Sequence, residues 1–289
     1  MIYLIRSIFQ KGHLMITTDS HMHSFYSTDC GTPMEDMIRT GIAHGLSLMC
    51  FTEHMDYDYP SDPAKEKNGH PEFWLDTGDY RAGFLSMKEK YADEIDLLFG
   101  VELGLQPHIV DWNNNYVNQH DFDYIIGSAH TIDHMDPYFP SFYEGRSERA
   151  AYTRYFEQAL ENLELFDNID SFGHFDYVVR YGPSKNKEYS YKEYSDLIDP
   201  ILRLLIEKGI ALEINTKGYT SGLGEPNPGR DIISRYRELG GELITIGSDA
   251  HTAGDLATHF SDAEELLLER GYKYYAVFKE RKPIFYPLG

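Results

Sequence analysis

Three polar side chains alternate along a short stretch near the N-terminus. Residues 17–24 read TTDSHMHS, so Asp19, His21 and His23 occupy every second position. Residues i, i+2 and i+4 of a β-strand share one face, so a strand here would aim two imidazoles and a carboxylate at one point. This pattern is compatible with a metal site and equally with an exposed or structural pair of histidines. The rest of the chain has to distinguish the two interpretations.

Side chains of the same kind follow short apolar runs along the rest of the chain. Seven runs have the length of a buried strand, and the carboxyl ends of parallel strands in α/β folds meet at one edge, where functional sites lie. The recurrence favours a shared metal site, although any one of these histidines alone would more often be structural. The candidates at the ends of the runs are His21 and His23, His54, Glu102, His130, His174, Asn215, and Asp249 with His251.

The donor atoms of this set restrict the metal. Imidazole and carboxylate ligands suit Zn, Mn or Fe(II) better than Mg or Ca, which prefer oxygen ligands. The set contains no cysteine, which excludes a structural zinc site of the Cys type. The ligands exceed the needs of one ion and would hold two or three. Such multi-metal sites stabilise both the attacking and the leaving oxygen in phosphoryl displacement.

Helical patterns separate the apolar runs, and this alternation predicts βαβ units around a parallel sheet. We expect one domain over residues 15–289, with a possible eighth strand at YKYYAVF, and an N-terminal extension, an edge strand or a short helix over residues 1–14. Residues 226–229 are predicted to form an ordinary turn into a helix. Helices are predicted over residues 34–45, 79–95, 147–166, 191–209, 230–241 and 255–271, and loops over 56–78, 107–120, 131–147 and 181–190.

The bulk composition limits the classes of partner. The chain has 289 residues and a net charge of −21, which disfavours binding of long nucleic acids, although bound cations can invert a local field. Cys30 and Cys50 are too few for a disulfide framework and fit a reducing cytoplasm, where we expect the protein to be. No stretch approaches the ~20 apolar residues of a membrane span, and the first residues make a poor signal peptide.

Taken in order, the motifs DSHMHS, FTEH, GVELG, GSAH, GHFD and SDAH resemble those of the PHP (polymerase and histidinol phosphatase) superfamily over roughly residues 16 to 255. Each motif is weak, but their order and spacing together are specific. The resemblance implies an α/β fold, a distorted (β/α)7 TIM-like barrel, with a trinuclear metal site at the C-terminal ends of the strands. Seven predicted strands agree with that fold.

The resemblance also implies a division of the ligands. A first metal would bind His21, His23, Glu102 and Asp249, and Glu102 would bridge to a second metal held by His130 and His174. A third metal would bind His54, His251 and Asp29, in SFYSTDCG, where some members have histidine. From the residues alone, Asp29 is a turn aspartate before Gly31. Asp19 is expected to orient an imidazole rather than to bind metal.

Within the superfamily the chain is similar to the stand-alone histidinol-phosphate phosphatases, because it has no polymerase modules and because GHFDYVVRYGP resembles their fifth-strand region. This similarity implies hydrolysis of a small phosphorylated metabolite, L-histidinol phosphate, by a hydroxide that bridges two metals. Arg180 becomes the candidate for gripping phosphate, and Asn215 and Lys217 are further candidates at the mouth. A water on the third metal, Asp249 or His251 would assist the leaving group.

Other functions stay open at this point. Within the superfamily these are phosphoesterases on nucleotides or oligonucleotides and a protein-tyrosine phosphatase. Amidohydrolase barrels also begin with H-x-H but usually carry a carbamylated lysine, where this chain has Glu102. A degenerate, non-catalytic PHP domain would lack ligands. The remaining histidines are expected on the surface, with His108 and His134 near the mouth, where contact with substrate is possible.

Overall fold

Seven parallel strands form the central sheet, and each is hydrogen-bonded to the next one in chain order. The computed structural model describes residues 16–62, 64–66 and 69–289, so the extension predicted over residues 1–14 lies outside the described residues. The strands are β1 (Thr18–Met22), β2 (Leu48–Met55), β3 (Asp96–Gly104), β4 (Tyr124–Ser128), β5 (Ser171–Phe172), β6 (Ala211–Asn215) and β7 (Ile244–Gly247).

The first and last of these strands meet, so the sheet curls into a nearly closed barrel. Met22 and Ala250 form a parallel bridge. The amide of Asp249 donates to the carbonyl of His21 at 2.8 Å, and the amide of His23 donates to the carbonyl of Ala250 at 2.9 Å. We call this junction the seam. The (β/α)7 barrel predicted from the sequence is confirmed.

Helices cover the outside of the barrel. The apolar stripe of α6 shows why they form there: Ile198, Ile201, Leu202 and Leu205 recur at helical spacing and are buried. Gly209, with φ 68°, ends that helix in a left-handed conformation. The helices are α1 (Met34–Ala43), α2 (Thr77–Lys90), α3 (Val110–Asn118), α4 (Glu148–Leu165), α5 (Val178–Tyr181), α6 (Ser195–Lys208), α7 (Arg230–Glu238) and α8 (Phe260–Glu269).

Two predictions of local structure are wrong. The sequence predicts a loop over 107–120, yet most of this segment is α3. Its asparagines are poor helix formers, but Asn113, Tyr116 and Val117 form a buried face, so tertiary packing overrides propensity. The helix predicted over 255–271 begins only at Phe260, because His259 before it has a left-handed backbone, with φ 61°.

An antiparallel hairpin closes the end of the barrel where the strands begin. Its strands are β8 (Tyr274–Lys279), which confirms the possible eighth strand, and β9 (Lys282–Pro287). Phe278 stacks on Tyr124 at 5.5 Å between ring centroids. Arg281 pairs with Asp170, with 2.5 Å between Nε and Oδ2. The hairpin therefore blocks one end and leaves the other end, where the strands finish, for a site.

Two expectations from composition can be compared with the structure. Cys30 and Cys50 are both buried as free thiols, as expected for a chain without a disulfide framework. Among the described residues, no helix combines the length and the apolar character needed to cross a bilayer.

Candidate metal centre

The candidate ligands converge at the carboxyl end of the barrel. His21 lies within β1, and His54 and Glu102 are register partners on β2 and β3. His130, His174 and the pair Asp249 and His251 follow β4, β5 and β7. Glu102 is fully buried among them. Parallel strands that end at one rim thus bring together side chains that are far apart in sequence.

One cluster joins β1 to the end of β7 through β3. The Nε2 atoms of His21 and His23 lie 3.2 Å apart, and Glu102 Oε2 lies 3.2 and 3.5 Å from them. Asp249 Oδ1 is 3.8 and 3.6 Å from the same two nitrogens. These four residues are the set expected around the first metal.

The other oxygen of Glu102 belongs to a second cluster. Glu102 Oε1 lies 2.8 Å from His174 Nε2 and 3.1 Å from His130 Nε2. The two ring nitrogens are 3.3 Å apart. Because one carboxylate faces both clusters with different oxygens, Glu102 occupies the position expected of a bridging ligand.

A third group lies toward solvent. Asp29 Oδ2 is 3.1 Å from His251 Nε2 and 3.6 Å from His54 Nε2. The side chain of Asp29 is 41% exposed, so this group lies at the mouth. His54 also connects inward, since its Nδ1 is 2.9 Å from Glu102 Oε2 and its ring stacks on His23 at 4.1 Å.

These distances fit metal ions. Ligands around a tetrahedral zinc ion at 2.0–2.1 Å are separated by roughly 3.3 Å, which is the spacing of the paired imidazole nitrogens, 3.2 and 3.3 Å. His54 Nδ1 and Glu102 Oε2 are close, but their orientation is not that of a hydrogen bond, and both are buried without a partner among the described residues. Buried polar atoms without partners are costly. A bound cation would satisfy them.

Hydrogen bonds to the opposite ring nitrogens orient the histidines. His21 Nδ1 donates to Glu213 Oε1 at 2.5 Å, and His130 Nδ1 donates to Asp56 Oδ1 at 3.0 Å. His251 Nδ1 donates to the carbonyl of Asp249 at 3.0 Å. In each ring Nε2 is left facing the cluster, where it can bind an ion once it has lost any proton. Carboxylate–histidine pairs of this kind are usual around bound metals.

The sequence of residues 19–217 matches the PHP domain family. This chain belongs to the PHP family. A histidinol-phosphatase of Lactococcus lactis is 31% identical over 91% of this chain and 95% of its own. A protein of Clostridium acetobutylicum named "Probable histidinol-phosphatase" is 33% identical over 85% of this chain and 90% of its own.

Solved structures agree with this assignment. The histidinol phosphate phosphatase of Lactococcus lactis, complexed with zinc, L-histidinol and phosphate, superposes with a TM-score of 0.84 at 30% identity, over 92% of this chain and 98% of that one. A protein of Listeria monocytogenes described as a "putative histidinol phosphatase" has a TM-score of 0.72 at 18% identity, over 85% and 99% of the two chains, and shows the same fold.

Arg180 lies inside the PHP barrel rather than on its surface. Its Nε donates to Asn227 Oδ1 at 2.7 Å, its Nη1 to Asp249 Oδ2 at 2.8 Å and its Nη2 to Asn215 Oδ1 at 2.7 Å. Arg180 also lines the pocket above the centre, as does Lys217, whose Nζ lies 3.1 Å from Asp255 Oδ2. The guanidinium thus connects the pocket to a candidate metal ligand.

Two predicted residues lie away from their expected contacts. Asn215 is fully buried and both ends of its amide are engaged by protein partners, Arg180 among them. Asp19 accepts from the amide and hydroxyl of Ser248 at 3.0 and 2.6 Å. Among the described residues no imidazole donates to Asp19, because it lies two residues, about 6.6 Å, below His21 on its strand. It steadies the seam instead.

Sequence reasoning missed the residues that orient the imidazoles. Glu213 lies two positions before Asn215 and Asp56 two positions after His54, so the period of two that exposed the other candidates also applies to them. Asn227, which holds Arg180, lies in the turn interpreted as ordinary. No local signal identifies it, because the contact depends on how that turn folds back over the barrel.

Charged side chains in the PHP centre strongly shift the pKa values of their neighbours. Burial alone would raise the pKa of Glu102, but His21 and His130 outweigh it and hold that pKa well below the usual range. Burial opposes protonation of His54, yet Asp29 and Glu102 raise its pKa to about 10. Glu213 and Asp56 likewise outweigh burial and raise the pKa of His21 and of His130, so without metal these three rings hold protons. A metal must displace them, so its affinity should fall with falling pH.

Two backbone features allow this close approach. Asp249 has φ 53°, a left-handed conformation that costs a non-glycine residue of order 1–3 kcal/mol and clusters at functional sites. Gly247 packs against His21, and a Cβ at this position would overlap the Cβ of that histidine. The end of β7 is therefore built for proximity to β1 rather than for local stability.

Proposed function

We propose that this chain is a phosphoric monoester hydrolase that converts L-histidinol phosphate to L-histidinol and phosphate, a step of histidine biosynthesis, with two to three divalent ions. The observation that carries the proposal is the convergence of histidines and carboxylates on Glu102. The barrel also superposes, over nearly its whole length, on a relative whose structure contains zinc, L-histidinol and phosphate.

The ligand assignment follows the three clusters. The first ion would be held by His21, His23, Glu102 and Asp249, and the second by Glu102, His130 and His174. The third would be held by His54, Asp29 and His251, in the more exposed group. Zinc is the first choice because the Lactococcus structure contains it, while Mn and Fe suit the same donors.

Bound ions at such a centre supply Lewis-acid polarisation of the phosphoryl group and a nucleophile at neutral pH. The protein contributes Arg180. A guanidinium has five N–H donors, of which the structure shows three engaged, so two are left for phosphoryl oxygens. A rigid planar fork suits phosphate. Lys217 would add a second positive charge at the pocket wall.

The leaving alkoxide needs a proton or an equivalent charge. His21 and Arg180 outweigh the effect of burial and hold the pKa of Asp249 well below its usual range, so Asp249 stays ionised. Burial lowers the pKa of His251, but Asp29 more than offsets this and raises it. This contrast favours His251 over Asp249 as the group that delivers a proton, provided that its ring is not bound to the third ion, and it leaves Asp249 as a ligand.

The pocket wall supports a substrate with a flat ring and an amino group. Tyr59, Phe73, Tyr177 and Tyr181 line it together with the carboxylate of Asp136. Tyr59 Oη donates to Asp136 Oδ2 at 2.7 Å, which fixes that carboxylate. Aromatic faces accommodate an imidazole, and a buried carboxylate attracts a cationic amine.

The test is a substrate panel after reconstitution with Zn, Mn or Fe. L-histidinol phosphate should give the highest kcat/KM, above p-nitrophenyl phosphate, phosphotyrosine peptides and nucleoside monophosphates, and bis-p-nitrophenyl phosphate should be turned over poorly. The variant E102Q is the control for contaminating phosphatase. A preference for diesters, nucleotides or phosphotyrosine would overturn the substrate assignment and leave the metal centre intact.

A further inference from the structure

A second group of metal-capable side chains lies at the rim of the barrel, outside the buried centre. Asp58, His108 and His134 come from the segments that follow β2, β3 and β4. His108 Nε2 is 2.5 Å from Asp58 Oδ2, and His134 Nδ1 is 3.9 Å from the same oxygen. One ligand atom from each residue lies within 4.8 Å of the other two. We call these three residues the rim cluster.

The carboxylate of the rim cluster is held in place by a residue that cannot bind metal well itself. The side-chain amide of Gln106, which is buried, donates to Asp58 Oδ1 at 2.5 Å. This hydrogen bond leaves Oδ2 as the oxygen that faces the two histidines. Outer residues that fix a ligand carboxylate in this way are a common feature of metal sites.

The turn that carries His134 is strained. Asp133 and His134 have φ values of 49° and 61°, although neither is glycine. Arg154 holds this conformation with two hydrogen bonds to the carboxylate of Asp133, at 2.9 and 2.7 Å. Strained backbone of this kind concentrates at functional sites, because the surrounding structure must maintain it. Here it brings a second imidazole toward a carboxylate that already has one.

We propose that Asp58, His108 and His134 bind one divalent transition-metal ion, of which zinc is the first candidate, separately from the buried centre. Two imidazoles and one carboxylate are donors for Zn, Co, Ni or Cu rather than for Mg or Ca. The ring centroids of His108 and His134 are only 4.7 Å apart. At this separation one ion can accept a lone pair from each ring.

An ion at the rim cluster would connect three segments at the mouth. Asp58 and His108 are separated by 50 residues along the chain. Two residues before Asp58, the carboxylate of Asp56 accepts from His130, a candidate ligand of the buried centre. The residue after Asp58, Tyr59, lines the substrate pocket. The rim ion would therefore hold the segment that links these two contacts.

The test counts bound zinc. Wild-type protein with its buried centre loaded is dialysed to equilibrium against buffered free zinc, and protein-bound zinc is measured by mass spectrometry. H108A and H134A should each bind one equivalent fewer than the wild type. The matched control is H259A, because His259 also pairs with an aspartate, Asp262, at 2.7 Å but belongs to no described three-ligand group. H259A should bind as much zinc as the wild type.

Two further variants separate this proposal from the proposed function, on which it does not rest. E102Q should lose zinc at the buried centre and keep the rim equivalent. Q106L should keep the rim ligands and bind the rim ion about 10- to 100-fold more weakly, the usual effect of losing such a supporting residue. Circular dichroism checks that each variant is folded. Equal zinc content in the wild type, H108A and H134A over the range that saturates the wild type would overturn the proposal.

Discussion

The most informative substitution is Arg180→Lys, because it keeps the positive charge and removes the planar fork. A lysine has one nitrogen and cannot contact Asn215, Asn227 and Asp249 at the positions held by Nη2, Nε and Nη1. If Arg180 grips phosphate with its two remaining N–H groups, turnover must fall even though the charge is unchanged. If Arg180 only neutralises Asp249, lysine should suffice.

The size of each effect follows from the contacts. Asn227 Oδ1 is buried and accepts from Arg180, whereas Asn215 Oδ1 also accepts from the amide of Lys217 at 3.1 Å. A buried acceptor left without a partner costs about 1–3 kcal/mol, so we expect R180K to be less stable by about 1–3 kcal/mol. Losing a two-pronged contact to the phosphoryl group should remove about 3 kcal/mol of transition-state stabilisation. At 1.36 kcal/mol per tenfold change in rate, kcat/KM should fall by about 10²-fold.

The assay measures kcat/KM for L-histidinol phosphate, inhibition by inorganic phosphate, thermal unfolding and bound metal on the same preparation. The matched control is R281K, because Arg281 also pairs with a buried aspartate, Asp170, at the opposite end of the barrel. R281K should lose stability and keep its activity. An R180K protein with full metal content and the same kcat/KM as R281K would refute the role of the guanidinium in phosphate binding.

Three further predictions concern the carboxylates. E102Q removes the carboxylate whose two oxygens face two clusters. Bound metal and kcat should therefore fall together, kcat by at least about 10³-fold. An inactive variant with full metal content, or an active variant without metal, would contradict this prediction. D29A changes a half-exposed side chain and should cost one equivalent of metal with little change in Tm; loss of all metal would show that the third group is not independent. In metal-free protein, burial raises the pKa of Glu53 from 4.5 to about 7. The free energy of unfolding should therefore be highest below pH 4.5 and fall by about 3 kcal/mol as the pH rises to 7, at 1.36 kcal/mol per pKa unit. E53Q should lack this decline in denaturant titrations, and parallel pH profiles of the two proteins would contradict the prediction.

The residues at the strand ends were predictable because parallel strands impose one direction on them. Period-two spacing located His21 and His23, and the ends of later apolar runs located His130, His174 and Asp249. The alternation of strands and helices predicted a parallel sheet, and the resemblance to the PHP superfamily implied that this sheet forms a (β/α)7 barrel. The role of each residue as a ligand stays a prediction that metal analysis must test.

Other features depend on contacts that no local pattern encodes. The helix α3 forms because its buried face packs against the barrel, while its sequence of three asparagines favours a loop. Asn227 reaches Arg180 only because its turn folds back onto the barrel. Asp19 shares a face of β1 with His21 but lies one layer further from the carboxyl end of the barrel. Period-two spacing predicts which face a side chain occupies, but it does not predict how far along the barrel axis that side chain lies.

The seam between β1 and β7 has a consequence for the stability of the whole barrel. Few backbone hydrogen bonds close it, and the ligands expected for the first ion lie on both sides, His21 and His23 on one strand and Asp249 beyond the other. Asp19 and Ser248, which face each other there, are 229 residues apart, and joining chain ends over such a loop costs about 5 kcal/mol of entropy. An ion at this position would act as a cross-link between the ends of the barrel, much as a disulfide does in a secreted protein. Removing the ion should speed amide hydrogen exchange first in β1 and β7. The ion that takes part in the reaction would then also stabilise the closed barrel.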